Sequence, residues 1–133
     1  MPRVLLIEDQ DDQRNLYAEC LTDAGFEAVP AGNALDGLKL FKEQKPDMVV
    51  LDIQMPGVDG IDALCRVLAL DRNVPVIFYS AYPTFKGNFV TWAADAFVVK
   101  TGDPTELVHE VRRVLKQRGV VLPQESKQEV KPI

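Results

Sequence analysis

The chain has 133 residues, of which 47% are apolar and 26% are charged, and its formal net charge at pH 7 is -5. This length and composition predict one globular domain, the acidic balance argues against direct nucleic-acid binding, and no apolar stretch approaches the roughly 20 residues that span a bilayer. The two cysteines lie far apart without metal-ligand spacing, so we expect a cytoplasmic protein with reduced thiols and no membrane contact.

Four short apolar runs predict strands that are buried on both faces of a parallel sheet. Each run is followed directly by one or two polar residues whose side chains can act as ligands, acids, bases or nucleophiles. Residues 4–7, 48–51, 76–79 and 96–99 are followed by Glu8-Asp9, Asp52, Ser80 and Lys100, respectively. A weaker strand is predicted at residues 27–30, and Pro30 restricts it to an edge of the sheet.

Helical spacing predicts five helices between and after these strands. The first should end at Gly25, and the second should start after Asn33 as its N-cap and stop before Lys45-Pro46. The last should have Asp103 as its N-cap and Pro104 at its first helical position. The predicted buried faces of the first three helices contain Leu16, Tyr17, Cys20, Leu21 and Ala24; Leu35, Leu38 and Phe41; and Ile61, Leu64, Val67 and Leu68. The segment between Ser80 and Lys100 predicts only a short or irregular fourth helix.

The alternation of strands and helices predicts an α/β fold, a doubly wound parallel sheet of the flavodoxin-like type with strand order 2-1-3-4-5. This domain is expected over residues 1–118, and the polar residues 119–133 are interpreted as a tail or linker. In such a sheet the carboxyl ends of the central strands share one pocket. We therefore expect Glu8, Asp9, Asp52, Ser80 and Lys100 to meet there.

These residue types suit phosphoryl transfer assisted by a metal ion. Three converging carboxylates repel one another unless a cation lies between them, and oxygen-only ligands select a hard ion such as Mg²⁺. Asp52 is the candidate nucleophile because it stands alone on the central strand, and it would form an acyl phosphate. Lys100 and Ser80 are placed to contact the phosphoryl oxygens.

The four motifs in this order resemble a response-regulator receiver domain, over roughly residues 3–118. The resemblance implies transfer of a phosphoryl group to Asp52 from a sensor histidine kinase or a phosphotransfer protein. It also implies Mg²⁺ bound by Asp9, by Asp52, by Glu8 through water and by the backbone carbonyl of Gln54. Such a domain assists its own phosphorylation and dephosphorylation and is not an enzyme acting on a free substrate.

The resemblance further implies how the phosphorylated state is reported. Phe97 matches the family's switch aromatic, coupled to the Ser80 hydroxyl. The face formed by the fourth helix, the fifth strand and the fifth helix would contact a downstream protein, or an output domain outside this chain. Gln54 and Tyr82 would flank the mouth of the site and tune the access of water. If Tyr82 shields the acyl phosphate, Tyr82→Ala should shorten its lifetime.

Three departures from the family pattern affect the output side of the domain. Thr101-Gly102 replaces the usual proline after the lysine. A cis bond without proline costs about 3 kcal/mol, so a trans bond is expected there. Gly102 would then accommodate the difference in backbone path between a trans and a cis bond. Phe97 lacks the hydroxyl of the commoner tyrosine, and the segment between Ser80 and Lys100 is shorter than usual. These departures leave open an alternative, a receiver-like interaction module that works without phosphorylation.

A nucleotide-binding protein of the Rossmann type is a third interpretation. It needs a glycine-rich or hydroxyl-rich loop after the first strand to hold phosphate. The chain has Glu8-Asp9-Gln10-Asp11-Asp12 at that place, and these acids would repel a bare phosphate.

Overall fold

A computed structural model of the protein describes residues 1–52, 60–81 and 94–123. Within these ranges it contains five strands and four helices. The strands are β1 Arg3–Ile7, β2 Glu27–Ala31, β3 Met48–Leu51, β4 Val76–Ser80 and β5 Ala96–Val99; the helices are α1 Asp11–Asp23, α2 Ala34–Gln44, α3 Gly60–Leu70 and α4 Thr105–Gln117.

The strands form one parallel sheet in the order β2-β1-β3-β4-β5, which confirms the predicted topology. β2 is an edge strand, as Pro30 required. The register pairs Ile7 with Leu51 and Ser80 with Val99, so the strands end together at one edge of the sheet. The predicted fifth helix is α4, because most of the segment between Ser80 and Lys100, where the fourth helix is predicted, lies outside the described residues (82–93).

Alternate residues of each strand face opposite layers of helices, as the pleat of a strand requires. Leu5 and Ile7 of β1 join one core cluster with residues of α2 and α3, whereas Val4 and Leu6 join a second cluster with residues of α1 and α4. The central strands are therefore apolar without interruption, because both faces are buried. Burying each of these side chains contributes roughly 1.5–3 kcal/mol.

Two predicted helix faces include a residue that the structure leaves at the surface. Tyr17 and Leu21 of α1 are buried, but Leu16 is 44% exposed. In α2, Phe41 is buried and Leu35 is 63% exposed. Each exposed leucine follows the helical spacing of its neighbours, but it lies on the border of the apolar face, where the direction of the side chain decides burial.

The predicted helix ends agree with the structure to within one residue. The Asn33 side chain accepts a hydrogen bond of 2.8 Å from the Asp36 N–H, as an N-cap should. α2 ends at Gln44, and α1 is followed by Gly25 with φ of +96°. At α4 the cap position is Pro104 rather than Asp103, although the Asp103 carboxylate accepts a hydrogen bond from the Thr105 N–H at 3.0 Å.

Three residues that follow α4 pack on the domain: Val120, Leu122 and Pro123. Val120 and Leu122 contact the core cluster that contains α1 and α4, and Pro123 lies against Gly25. Arg112 of α4 donates a hydrogen bond of 2.8 Å to the Ala24 carbonyl in the same region. The predicted boundary between the domain and its tail at residue 118 stays a prediction, but residues after 118 still make contacts with the domain.

Candidate functional site

Three carboxylates converge where β1 and β3 end. Glu8 and Asp9 follow β1, Asp52 follows β3, and one oxygen from each lies within 4.8 Å of the others. The parallel register of the two strands brings these acids together, and the Asp52 N–H donates to the Ile7 carbonyl at 3.3 Å. The Glu8 side chain is 3% exposed and that of Asp52 is 12% exposed. The sequence prediction that the acids form one cluster is confirmed.

The ammonium of Lys100 lies among these acids. Its Nζ donates to Glu8 Oε1 at 2.7 Å, to Gln13 Oε1 at 2.9 Å and to Asp52 Oδ2 at 3.1 Å. Lys100 directly follows β5, on the far side of β4 from β3. The side chain therefore reaches across the edge of the sheet and supplies a positive charge that offsets part of the acid repulsion.

Burial and charge act against each other in this pocket. Burial raises the pKa of Glu8 above its ordinary value of 4.5, although the hydrogen bond and charge of Lys100 act to lower it. For Lys100 burial acts to lower the pKa, but the hydrogen bonds to Glu8 and Asp52 and the charges of these two acids together outweigh it, so the pKa is raised above 10.5. The ammonium therefore keeps its charge at neutral pH, and Glu8 remains costly to ionise.

The donor set fits a hard divalent cation. Glu8, Asp9 and Asp52 offer only carboxylate oxygens, and no histidine or cysteine belongs to this cluster. Mg²⁺ prefers such oxygens and keeps several of its waters, so three protein carboxylates are a sufficient set. Three carboxylates and one ammonium leave a net negative charge when all are ionised, and a bound cation would favour the charged form of Glu8, whose pKa is raised by burial.

Two further predicted residues, Ser80 and Phe97, lie on β4 and β5. Ser80 ends β4 with no exposed surface, and its carbonyl accepts a hydrogen bond of 2.8 Å from the Lys100 N–H. Phe97 of β5 is partly buried, and its ring centroid lies 6.3 Å from that of Phe78. The five predicted residues at the strand ends thus occupy one edge of the sheet.

Residues 4–112 match the sequence profile of the response regulator receiver domain. This match covers most of the chain and includes every residue of the cluster. The chain belongs to the response regulator receiver domain family.

Relatives with known names agree with this assignment. The receiver domain is 37% identical over 119 residues to the transcriptional regulatory protein AfsQ1 of Streptomyces coelicolor, covering 88% of this chain and 52% of AfsQ1. It is 33% identical over 117 residues to the chemotaxis protein CheY of Thermotoga maritima, covering 86% of this chain and 98% of CheY. The chain spans about half the length of the first curated relatives it matches.

Solved structures of one relative are also similar. The response regulator protein TrrA of Thermotoga maritima, in complex with Mg²⁺-BeF, has a TM-score of 0.82 and 33% identity over 86% of this chain and 100% of TrrA. TrrA in complex with the histidine kinase ThkA has a TM-score of 0.81, again with 33% identity, over 86% of this chain and 99% of TrrA. The flavodoxin-like architecture predicted from the strand order is thus the fold of the receiver domain.

Three residues that contact Lys100 were not predicted from the sequence to belong to the site. Gln13 accepts one of its hydrogen bonds, and the rings of Tyr17 and Tyr79 have centroids 5.6 and 5.7 Å from Nζ. The available signals were positional. Gln13 and Tyr17 are four residues apart on α1 and so share a helix face, and Tyr79 directly precedes Ser80.

Two predicted residues of the receiver domain lie outside the described residues. These are Gln54 and Tyr82, whose roles at the mouth of the site stay predictions. The bond after Lys100 is described: it is trans, and Gly102 has φ of +92°. The expectation of a trans bond, with glycine providing unusual backbone freedom, is confirmed.

In the described part of the chain, none of the helices has the length and apolar character needed to cross a membrane.

Proposed function

We propose that Asp52 is the phosphoacceptor of this receiver domain. The observation that carries the proposal is the placement of the Asp52 carboxylate in the acid cluster, 3.1 Å from the Lys100 ammonium. A nucleophilic carboxylate needs neighbouring positive charge, because the incoming phosphoryl group is itself negative. Asp52 is the member of the cluster that follows the central strand β3, between the groups that follow β1 and β5.

The phosphoryl donor is a phosphohistidine of a sensor histidine kinase or of a phosphotransfer protein. Support comes from TrrA, which has been solved in complex with the histidine kinase ThkA. In the transfer, an Asp52 oxygen forms a bond to phosphorus while the bond from phosphorus to the imidazole nitrogen breaks. The nitrogen keeps that electron pair, and the product is an acyl phosphate on Asp52.

Glu8, Asp9 and Asp52 are proposed to hold Mg²⁺, together with the backbone carbonyl of Gln54. When bound, Mg²⁺ neutralises charge on the phosphoryl oxygens. Lys100 is proposed to contact one phosphoryl oxygen through its ammonium and Ser80 another through its hydroxyl. The domain would also assist dephosphorylation, in which water attacks phosphorus, the bond from phosphorus to the Asp52 oxygen breaks, and inorganic phosphate leaves with the Asp52 carboxylate restored.

The output is proposed to pass through Ser80 and Phe97 to the face that contains β5 and α4. The Ser80 carbonyl accepts a backbone hydrogen bond from Lys100, which directly follows β5. Phe97 lies within β5, next to Val98, so a change at the site has a short route to this strand. The recipient is a downstream protein or an output domain in the same chain. The free thiols of Cys20 and Cys65 are compatible with the cytoplasm as the compartment.

Intact-mass measurement tests the assignment of Asp52. The full chain is incubated with acetyl phosphate, with and without Mg²⁺, and the Asp52→Asn variant is treated in parallel. We expect one phosphate on the wild-type protein, dependent on Mg²⁺ and lost in the variant. The matched control is Asp12→Asn, which removes an exposed carboxylate near the pocket and should still be phosphorylated.

The outcomes separate the two candidate functions. Phosphate retained in Asp52→Asn would reject Asp52 as the acceptor. A wild-type chain that takes no phosphate from acetyl phosphate or from a phosphorylated histidine kinase would favour the phosphorylation-independent interaction module.

A further inference from the structure

The Lys100 ammonium has three hydrogen-bond acceptors and three N–H groups to donate. Two acceptors, Glu8 and Asp52, belong to the acid cluster, and the third is the neutral side-chain amide of Gln13. An ammonium has no further donor, so the described contacts use its full capacity. The Lys100 side chain is 10% exposed, and so the three acceptors replace most of its water.

Gln13 differs from the two acids in the charge that it brings. A carboxylate that binds a cation or a phosphoryl group becomes a weaker partner for Lys100. The Gln13 amide cannot be protonated near neutral pH and is outside the acid cluster. Its capacity to accept a hydrogen bond from Nζ therefore does not depend on the charge state of Glu8 and Asp52.

A pair of aromatic rings also lies close to the ammonium. The rings of Tyr17 and Tyr79 are 4.9 Å apart in an edge arrangement, with centroids 5.6 and 5.7 Å from Nζ. These distances are within the range of a cation–π attraction. Tyr17 is 6% exposed and Tyr79 is 2% exposed, so neither ring can move far without disturbing the core.

One helix places two of these three groups. Gln13 and Tyr17 are four residues apart on α1, so their side chains lie on the same face of the helix, one turn apart. Tyr79 comes from β4, which lies next to β5 in the sheet. The ammonium is thus held from α1 and β4, neither of which carries an acid of the cluster.

We propose that Gln13, Tyr17 and Tyr79 form a lysine seat that positions the Lys100 ammonium for phosphoryl transfer, with Gln13 as the decisive hydrogen-bond acceptor. The seat contains none of the proposed metal ligands, and it holds the ammonium when the carboxylates bind a cation or a phosphoryl group. The proposal rests on the proposed function in one respect, which is that phosphoryl transfer to Asp52 uses the Lys100 ammonium. The seat itself belongs to the metal-free protein, so it can be tested separately.

The first test uses NMR of the Nζ ammonium in the full-length, metal-free chain labelled with ¹⁵N-lysine. Wild type should show a slowly exchanging Lys100 ammonium signal, assigned by its loss in Lys100→Arg. Gln13→Leu removes the acceptor at similar volume and should abolish the slow exchange. Gln13→Glu restores an oxygen at that position and should recover it. Asn15→Leu, which alters an exposed amide on the same helix, is the matched control and should leave it unchanged.

The second test measures the rate of phosphorylation by acetyl phosphate and the Kd for Mg²⁺. Gln13→Leu should slow phosphorylation about tenfold, because a displaced catalytic group loses the advantage of orientation. Its Kd for Mg²⁺ should change less than about twofold, since Gln13 is not one of the acids that hold a cation. A residue with only a structural role would not separate the two quantities in this way.

The ammonium signal and the rate decide the proposal together. Wild-type exchange in Gln13→Leu would overturn the seat, and so would a wild-type rate in a variant whose ammonium is released. If wild type itself takes no phosphate, the proposed function fails, and the NMR comparison still decides whether the seat exists. Tyr17→Leu provides a second variant: loss of its ring should also speed ammonium exchange, and unchanged exchange there would reject the aromatic part of the seat.

Discussion

The Lys100 ammonium donates a hydrogen bond of 2.7 Å to the carboxylate of Glu8, a residue 92 positions earlier in the chain. Glu8 follows β1 and Lys100 follows β5, and two other strands lie between these in the sheet. The contact joins the two sides of the acid cluster at the carboxyl edge. It gives the metal-free pocket an internal counter-charge, and several predictions depend on that.

Replacing Lys100 with methionine should destabilise the metal-free protein. The change keeps most of the side-chain volume but leaves Glu8 and Asp52 buried without their cation, and breaking a buried ion pair costs about 3 kcal/mol. Urea denaturation in EDTA measures this loss. Saturating Mg²⁺ should recover more stability in Lys100→Met than in wild type, because the ion then has no ammonium competing for the acids. Equal Mg²⁺ effects on the two proteins would contradict this prediction.

Asp9→Asn should separate metal binding from the contacts of Lys100. Asp9 belongs to the acid cluster, but the Lys100 hydrogen bonds found in the described ranges go to Glu8, Gln13 and Asp52. The variant should weaken Mg²⁺ binding at least tenfold, about 1.4 kcal/mol, because it removes a charged ligand. Its metal-free stability should equal or slightly exceed that of wild type, since one repelling charge is gone. Calorimetric titration and urea denaturation in EDTA provide the two values, and Asp12→Asn is the control.

The pKa of Glu8 gives the metal-free protein a defined dependence of stability on pH. Because burial raises the folded-state pKa above 4.5, the folded protein binds more protons than the unfolded chain between 4.5 and that higher value. The contribution of Glu8 is therefore fully present below pH 4.5 and is lost as the pH rises through the folded-state pKa. Glu8→Gln should remove this fall when urea denaturation is followed across mildly acidic pH in EDTA. A variant with the same slope as wild type would reject the assignment to Glu8.

The sequence predicted the acids and the lysine of the site because each directly follows a strand that is apolar throughout. In a parallel sheet that position fixes the edge on which a residue lies, so Asp52 and Lys100 could be placed without knowing any side-chain contact. Gln13 could not be predicted in this way. A polar residue on a surface helix contacts a site only if the helix is rotated toward it, and packing of Tyr17 and Leu21 against the sheet sets that rotation.

The same limit explains the errors at the helix surfaces. Leu16 and Leu35 follow helical spacing, yet both are exposed, because periodicity gives the centre of an apolar face and not its edges. The packing of Val120 and Leu122 could not be predicted for a different reason. A short apolar segment after the last helix contains no periodic signal, and the core cluster that it packs against includes Tyr17, Leu21 and Phe26, which lie far earlier in the chain.

Gly25 and Gly102 provide a matched test of that C-terminal packing. Their φ angles, +96° and +92°, are nearly equal, so an added Cβ brings about 1–2 kcal/mol of backbone strain at each. At Gly102 the Cβ would meet nothing within 4 Å, whereas at Gly25 it would lie 2.7 Å from Pro123 Cβ. Gly25→Ala should therefore be more destabilising than Gly102→Ala by about 1 kcal/mol of overpacking, as measured by urea denaturation.

A double-mutant cycle assigns the difference to Pro123. Pro123→Gly removes the opposing Cβ, so the cost of Gly25→Ala in that background should fall to about the cost of Gly102→Ala. The cost of Gly102→Ala should be the same with or without Pro123→Gly, because nothing within 4 Å of the added Cβ has changed. If Pro123→Gly leaves the excess cost at Gly25 intact, residues 120–123 do not pack on the turn in solution. A lost excess instead establishes that the folded unit includes Pro123, because only a docked segment can clash with the new methyl group.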